Sequence, residues 1–138
     1  MKRDVKKYRS HCPINVAQET FGDKWSLLII RDLMFKGKKY YSEFLNSDEK
    51  ISTNILADRL VKLEMNRLIS REIDKENNSK YIYRLTKKGV DLLPMLLEMI
   101  EWSAKYDKKT ETPTEFTKRL KEDKESLTHE LLESLGDF

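Results

Sequence analysis

Apolar residues recur at helical spacing in the segment 51–69, and polar residues cluster at the start of the same segment. The stripe that a packed helix would bury consists of Leu56, Leu60 and Leu63. Ser52 stands before this run, where its hydroxyl can accept a backbone N–H of the first turn. The pattern predicts a helix over residues 52–65 with a simple N-cap and no capping box.

The neighbouring segments give this helix a context. A short amphipathic segment, residues 40–45, precedes it, and the polar turn 46–50 joins the two, which is the arrangement of a helix-turn-helix. Two strands are predicted next, at residues 68–73 and 80–85. The intervening residues 74–79 are rich in turn formers, so we expect a long polar tip. Helix, helix, strand, tip and strand follow in the order of a winged helix.

Two more helices are predicted before this motif. Pro13 is suited to the first position of a helix that ends at Phe21, and Gly22 is expected to end it with a positive φ. Asp23 can cap the next helix, residues 24–35. That helix is apolar nearly all round, so we place it at the centre of the domain.

A long helix over residues 87–108 and a final helix over 115–135 are predicted after the hairpin. Pro94 is expected to kink the long helix or to cost one of its hydrogen bonds. The long helix has two apolar stripes, and one side of a small domain can cover only one of them. The stripe expected to bury against a second subunit comprises Leu92, Met95, Met99, Trp102 and Tyr106.

Charge divides the chain of 138 residues unevenly. Its net charge is +3, but the segment from Lys109 to Phe138 has five basic and eight acidic residues, so the residues before it carry +6. A basic body suits a polyanionic partner. We therefore predict a winged-helix domain with dimerisation helices at residues 1–108 and an acidic helical extension at 109–138. A basic N-terminal arm includes Lys2, Arg3 and Lys6.

Polar side chains on the 52–65 helix are suited to the major groove of DNA, where asparagine pairs with adenine and arginine with guanine. The residues expected there are Ser52, Thr53, Asn54, Asp58, Arg59 and Lys62. Other residues would contact the DNA backbone and so position the protein on the duplex without reading its sequence. These are Lys38, Lys39, Tyr41, Ser42, Lys75, Asn77, Asn78 and Lys80. The alternatives are an ordinary solvated surface and a winged helix that serves as a protein–protein adaptor.

Several motifs together resemble the HxlR-type transcription regulators, a MarR-like family, over roughly residues 9–108. They are His11-Cys12-Pro13, Gly22 to Leu33, Tyr41-Ser42-Glu43-Phe44, Leu56 to Leu63, Tyr83 to Gly89 and Leu92-Leu93-Pro94. The resemblance implies a dimeric winged-helix fold, mainly α with a small β-hairpin wing, and repression or activation of bacterial promoters. Where the family usually has Asp-Gly this chain has Asn66-Arg67, and we expect Asn66 to take the left-handed turn. The acidic tail is also longer than in the family.

Cys12 is the single cysteine, so an internal disulfide is excluded. The resemblance implies that a cysteine directly before the proline can act as a redox or electrophile switch. Lys7, Arg9 and His11 would favour its thiolate. A switch would need a Cys12–Cys12 bond between subunits, or capping by a small thiol or electrophile. The alternative is a small apolar residue packed at the dimer seam.

Other chemistry finds little support in the sequence. His11, Cys12 and His129 lack metal-ligand spacing, and there is no glycine-rich phosphate loop. An enzyme using the Cys12 thiol is therefore a remote alternative, and we expect no cofactor. The chain has no apolar run of membrane-spanning length and no signal-peptide pattern, so we expect a cytoplasmic protein. The expected partners are double-stranded DNA and a second copy of the chain, with a small-molecule or oxidant effector left open.

Overall fold

The computed structural model describes residues 7–136, so the predicted arm residues Lys2, Arg3 and Lys6 lie outside the described part. The chain divides after Arg84 into two compact units. Elements of the first unit are α1 (Pro13–Phe21), α2 (Ser26–Phe35), α3 (Tyr41–Phe44), α4 (Thr53–Met65), β1 (Ile69–Asp74) and β2 (Asn77–Leu85), whose last residue begins the second unit. The two strands form an antiparallel hairpin. This order confirms the winged-helix prediction.

The core of the first unit follows the predicted pattern. Leu56, Leu60 and Leu63 on α4 are buried, as the spacing required. Ile30 on α2 has no exposed surface, which is consistent with a central helix. The Phe44 ring meets Tyr83 of β2 edge to face, with centroids 6.0 Å apart.

Gly22 ends α1, but the predicted reason was wrong. Its φ is −79°, an ordinary value for any residue. A Cβ built on Gly22 would lie 2.4 Å from the Gln18 carbonyl oxygen and 2.7 Å from the Gln18 Cγ. Glycine is therefore required here by close approach of the backbone and not by a left-handed conformation.

Asp23 acts at the start of α2 as predicted, although the helix begins at Ser26 and not at residue 24. Its Oδ1 accepts from the amides of Trp25, at 2.8 Å, and Ser26, at 3.0 Å. These two donors have no partner within the helix, so the carboxylate satisfies them. Gly37 follows α2 in the left-handed region, with φ 63°.

The hairpin is tighter than predicted. Only Lys75 and Glu76 form the turn, because β2 starts at Asn77, so the long tip expected over residues 74–79 is wrong. The left-handed residue after α4 was also assigned wrongly. Arg67 has φ 60°, whereas Asn66 has φ −81° and donates from Nδ2 to the Lys62 carbonyl. The left-handed position therefore falls on Arg67, at the place of the family's glycine.

The second unit, described as far as residue 136, contains four helices: α5 (Lys87–Val90), α6 (Leu93–Tyr106), α7 (Thr114–Glu122) and α8 (Lys124–Ser134). The long predicted helix is broken between Val90 and Leu93, and Pro94 occupies the first turn of α6, where proline is tolerated. The single predicted final helix is broken at Asp123. Both α7 and α8 pack against α6, with Leu120 and Leu127 buried.

Candidate nucleic-acid interface

The N-terminus of α4 is built as the sequence predicted. Ser52 is the N-cap, and its Oγ accepts from the Ile55 amide at 3.3 Å. This bond holds the first turn, on which Thr53 and Asn54 are both exposed. Tyr41 donates from its hydroxyl to the Thr53 carbonyl at 3.0 Å, which ties α3 to the start of α4. The two helices thus present a fixed polar edge of the helix-turn-helix.

Arg59 has a different environment from the one expected for a base-reading residue. Its Nε donates to Asp23 Oδ1 at 3.0 Å, and its Nη1 bonds Asp58. Asp58 also pairs with Lys62 at 3.1 Å. The charged side chains at the middle of α4 are therefore paired with one another and with the start of α2.

The pKa values of this network reflect the pairing. Partial burial raises the pKa of Asp23, but hydrogen bonds from the Ser26 hydroxyl, the Trp25 amide and Arg59 outweigh it and lower the pKa to about 2. The Lys62 ammonium and then Arg59 lower the pKa of Asp58. Both carboxylates are ionised at neutral pH, so Arg59 keeps two anionic partners in the absence of DNA.

Residues of α3 and of the hairpin meet in a cleft of about 360 Å³. Its lining includes Tyr41, Ser42 and Lys80, which were predicted to contact the DNA backbone, together with Ser79. Lys39 and Lys80 each place Nζ 5.4 Å from the centre of the Tyr40 ring. Two cations from separate elements therefore flank one polar cleft, an arrangement that can hold a phosphate group.

Tyr40 and Asp74 fix this cleft, and sequence reasoning did not identify either. The Tyr40 hydroxyl donates to Asp74 Oδ2 at 2.8 Å, while Asp74 Oδ1 accepts from the Glu76 amide at 2.9 Å. Asp74 is buried at the end of β1. Its hydrogen bond raises the pKa of Tyr40. The available signal in the sequence was an aspartate at the first position of the predicted turn, where its carboxylate can accept a backbone amide.

The remaining predicted backbone contacts differ in their surroundings. Lys38 points inward, because its Nζ lies 2.9 Å from Ser47 Oγ and 3.5 Å from the buried Asp32 carboxylate. Lys75 is exposed in the turn and Asn78 on β2. Asn77 accepts from the Ser79 amide at 3.2 Å and shapes the start of β2. Lys38 is thus held in the fold, whereas Lys75 and Asn78 face solvent.

Cys12 lies exposed at the N-cap of α1. The backbone amides of Asn15 and Ile14 lower the pKa of its thiol, as expected at the positive end of a helix. Arg9 was expected to contribute, but it pairs with Glu19 and donates to the Asn15 side chain. The helix amides therefore favour the thiolate.

The predicted dimer stripe lies on α5–α6 in the second unit. Leu92 and Met95 are half-buried, whereas Met99, Trp102 and Tyr106 are exposed, the last two to 67% and 66%. The Trp102 and Tyr106 rings contact each other with centroids 5.5 Å apart. Large apolar side chains are thus grouped on one exposed face of α6. No helix within residues 7–136 has the length and apolar character needed to cross a membrane.

Comparisons with known proteins identify the same arrangement. A family model described as HxlR-like helix-turn-helix matches residues 20–111. YdeP of Bacillus subtilis, described as an uncharacterised HTH-type transcriptional regulator, is 35% identical over 95 residues, or 69% of this chain and 73% of YdeP. The HTH-type transcriptional regulator YodB of the same organism is 36% identical over 96 residues, or 69% of this chain and 85% of YodB.

Solved structures give the same result. The reduced form of YodB superimposes with a TM-score of 0.60 and 31% identity, covering 74% of this chain and 99% of YodB. Quinone-bound and diamide-treated YodB also match, with TM-scores of 0.57 and 0.55. The redox regulator HypR in its oxidised form matches with a TM-score of 0.62 and 30% identity, covering 70% of this chain and 98% of HypR.

Proposed function

Because the chain belongs to the HxlR-like helix-turn-helix family of transcriptional regulators, we propose that it binds an operator in double-stranded DNA as a homodimer. The observation that carries this proposal is the start of α4, where Ser52 caps the helix and Thr53 and Asn54 are exposed together. A recognition helix contacts base edges with residues at its N-terminus. Two-fold symmetry would give a near-palindromic operator with half-sites about one helical turn apart, or a multiple of that.

The phosphate contacts would come from both sides of α4. We assign Lys39, Ser42 and Lys80 to the backbone beside the α3–hairpin cleft, and Lys75 to the flanking DNA. These contacts release counterions and orient the protein, while the residues of α4 supply the sequence preference. Arg59 would reach a guanine only by exchanging its bond to Asp23, so we assign it a bracing role in the free protein.

Fluorescence anisotropy tests this proposal. The labelled duplex is the DNA upstream of the gene that encodes this chain, and the control is a scrambled duplex of equal length. We expect tighter binding to the first duplex and a log–log salt slope of about −0.9 for each phosphate contact. Equal binding to both duplexes at every salt concentration would reject this operator. Lack of binding to either at low salt would leave a protein–protein adaptor as the better interpretation.

We further propose that modification of Cys12 changes DNA occupancy. Its thiolate could add to the ring carbon of a quinone, forming one C–S bond and giving a hydroquinone thioether after proton transfer. Alternatively, diamide could accept two electrons and two protons from two thiols, which become a disulfide. With one cysteine per chain, that disulfide joins two subunits or Cys12 and a small thiol. The lowered pKa of Cys12 and the redox relatives support this proposal.

Diamide treatment provides the corresponding test. We expect it to release the wild-type protein from its operator and to leave Cys12→Ser bound, with dithiothreitol restoring the wild-type affinity. Mass spectrometry would distinguish a crosslinked dimer from a chain capped by a small thiol. Equal release of both proteins would rule out Cys12 as the sensor while leaving DNA binding intact.

A further inference from the structure

The outward face of α4 carries three exposed apolar residues, Ala57, Val61 and, at its last position, Met65, whose exposure the fold does not explain. Asn54, Ala57, Asp58 and Val61 are all exposed at spacings of three, four and seven residues, which places them on one helix face. The buried stripe lies on the opposite face. Val61 is 57% exposed. A β-branched residue at an exposed helical position lowers helix propensity relative to alanine, so helix stability does not favour valine here.

The charged neighbours of Val61 are paired with one another or with α2, which leaves Val61 accessible to a binding partner. Asp58 is paired with Lys62 and Arg59, and Arg59 is held by Asp23. The strongest hydrogen-bonding groups in the middle of the face are therefore already occupied. From Asn54 to Val61, the groups left for a partner along this face are the Asn54 amide and the methyl groups of Ala57 and Val61, with Met65 one turn beyond.

We propose that Ala57 and Val61 are specificity-determining residues that contact the C5-methyl groups of thymine in the major groove. This inference rests on the proposed function. Thymine is the only base that presents a methyl group there, and small apolar side chains are its usual contacts. Asn54, on the same face, is suited to an adenine. The predicted half-site is consequently rich in A·T pairs.

The dimensions of the helix fit this assignment. The seven residue steps from Asn54 to Val61 rise about 10 Å along the helix axis at 1.5 Å per residue. Base pairs are stacked about 3.4 Å apart. The face therefore spans about three base-pair steps, which is sufficient for one adenine contact and two thymine contacts in each half-site.

Charge favours DNA over a protein as the occupant of this face. Lys62 adjoins Val61 on α4, and Lys39 and Lys80 flank the cleft beside α3. A protein-binding site would be expected to have aromatic or larger apolar anchors at its centre, whereas the larger apolar side chain of this face, Met65, lies at the last residue of α4. Ala57 and Val61 offer only small methyl groups surrounded by polar side chains, which suits a groove lined by phosphates.

Thymine and uracil differ in the duplex only by the C5-methyl group, so uridine substitution provides the test. Operators are first obtained by selection from a random duplex library with the full chain. Deoxyuridine then replaces thymine at one position at a time, and the dissociation constant is measured by anisotropy. We expect about a fourfold weakening for each contacted methyl group that is removed, since burial of one such group is worth roughly 0.8 kcal/mol.

Variants assign each thymine position to a residue. In Val61→Ala, replacing thymine by deoxyuridine should raise the dissociation constant less than twofold at one position of the half-site. At the other position the weakening of about fourfold should persist. Val61 is largely exposed, so folding should be retained, and circular dichroism checks this. Met65→Ala is the matched control, because Met65 is 75% exposed one turn later, beyond the predicted base contacts. It should keep both penalties.

The possible outcomes distinguish a failure of this inference from a failure of the proposed function on which it rests. Position-specific loss of the uridine penalty in Val61→Ala supports it. Specific operators that bind equally well with thymine or uridine overturn it and leave the regulator proposal standing. Loss of the penalty in Met65→Ala instead of Val61→Ala also overturns the assignment. Failure to enrich any duplex would contradict both the inference and the proposed function.

Discussion

At the scale of single residues, Arg67 shows how the same fold accommodates an unfavourable side chain. It takes φ 60° directly after α4, where the related family usually has glycine. A non-glycine residue in this region costs about 1–2 kcal/mol. The helix end is nevertheless closed, because the Leu68 amide donates to the Leu63 carbonyl at 3.0 Å. Packing of Leu63 and Leu68, both buried, therefore outweighs the backbone preference.

Asp23→Asn tests the charge at the start of α2. The folded pKa of Asp23 is about 2, below the ordinary 3.8, so the carboxylate stabilises the fold above pH 4. This contribution is lost as pH falls from about 4 to 2. The asparagine can still accept from the helix amides but loses the ion pair with Arg59. We expect about 1 kcal/mol lower stability at pH 7, a value reduced for solvent screening.

Urea unfolding at several pH values measures this difference. The gap between wild type and Asp23→Asn should be largest near pH 7 and should close near pH 2. Asp48→Asn is the control, because Asp48 is exposed and is paired with no basic side chain in residues 7–136. A gap that does not change with pH would mean that the charge of Asp23 is irrelevant to folding.

Residue-level predictions from sequence were correct where one local rule was decisive. Ser52 as the α4 cap and Asp23 at the start of α2 follow from the need to satisfy free amides. The explanations for Gly22 and Asn66 were wrong. Whether a Cβ fits at Gly22, and which residue after α4 takes the left-handed conformation, both depend on the three-dimensional path of the chain at the helix end. The pairing of Arg59 with Asp23 joins residues 36 positions apart, so periodicity alone could not reveal it.

At the scale of elements, a side-chain hydrogen bond attaches the hairpin to the start of α3, and the ion pair of Arg71 on β1 with Glu64, at 3.1 Å, attaches it to α4. Tyr40, before α3, donates to Asp74 at the end of β1. The Tyr83 amide of β2 also donates to the Lys39 carbonyl at 2.8 Å. These bonds hold Lys39 and Lys80 beside the Tyr40 ring. Their positions at the cleft thus depend on Tyr40.

Tyr40→Phe should loosen this attachment. The buried Asp74 loses one donor, which costs about 1–2 kcal/mol of stability. We expect weaker DNA binding, with a shallower salt slope, since Lys80 would no longer be held beside Lys39. Uridine penalties in the operator should remain, because α4 is unchanged.

Tyr41→Phe is the matched control for Tyr40→Phe. Its hydroxyl donates to the Thr53 carbonyl in an exposed setting, where water can replace it. We expect less than about 0.5 kcal/mol loss of stability. The salt slope should be unchanged even if Tyr41 contacts the DNA backbone, because its side chain carries no charge. Chemical denaturation and anisotropy would measure both. Equal effects of the two substitutions would contradict a special role for the Tyr40–Asp74 bond.

Element order was predictable because hydrophobic periodicity extends over whole helices and strands. The breaks inside the two long predicted helices were harder to predict. Pro94 indicated an interruption, but the stop at Val90 and the turn at Asp123 depend on how α6, α7 and α8 pack. The hairpin turn was predicted too long because Asn77 and Ser79 are common in turns, yet they pair with β1 within the ribbon.

At the scale of the whole molecule, function requires two copies if the operator is palindromic. The exposed face of α6 offers the means, because Met99, Trp102 and Tyr106 together expose a large apolar area. Such a patch is unusual on a protein that remains monomeric. The division into a winged-helix domain at residues 1–108 and an acidic extension at 109–138 stays a prediction, as does the contact with a second subunit.

Trp102→Glu should separate the subunits. A carboxylate at the centre of an apolar interface would be buried without a partner, which costs several kcal/mol. We expect a monomer of about half the mass by size-exclusion chromatography with light scattering. Operator affinity should fall at least tenfold, because one half-site then binds without the other.

Ser126→Glu is the control, because it adds the same charge at an exposed residue of α8, away from the predicted stripe on α6. It should remain dimeric and bind the operator as wild type does. If Trp102→Glu stayed dimeric, the stripe of Leu92, Met95, Met99, Trp102 and Tyr106 would not be the interface. If it became monomeric yet kept full affinity, the two-fold operator would be wrong, and each winged helix would bind DNA independently.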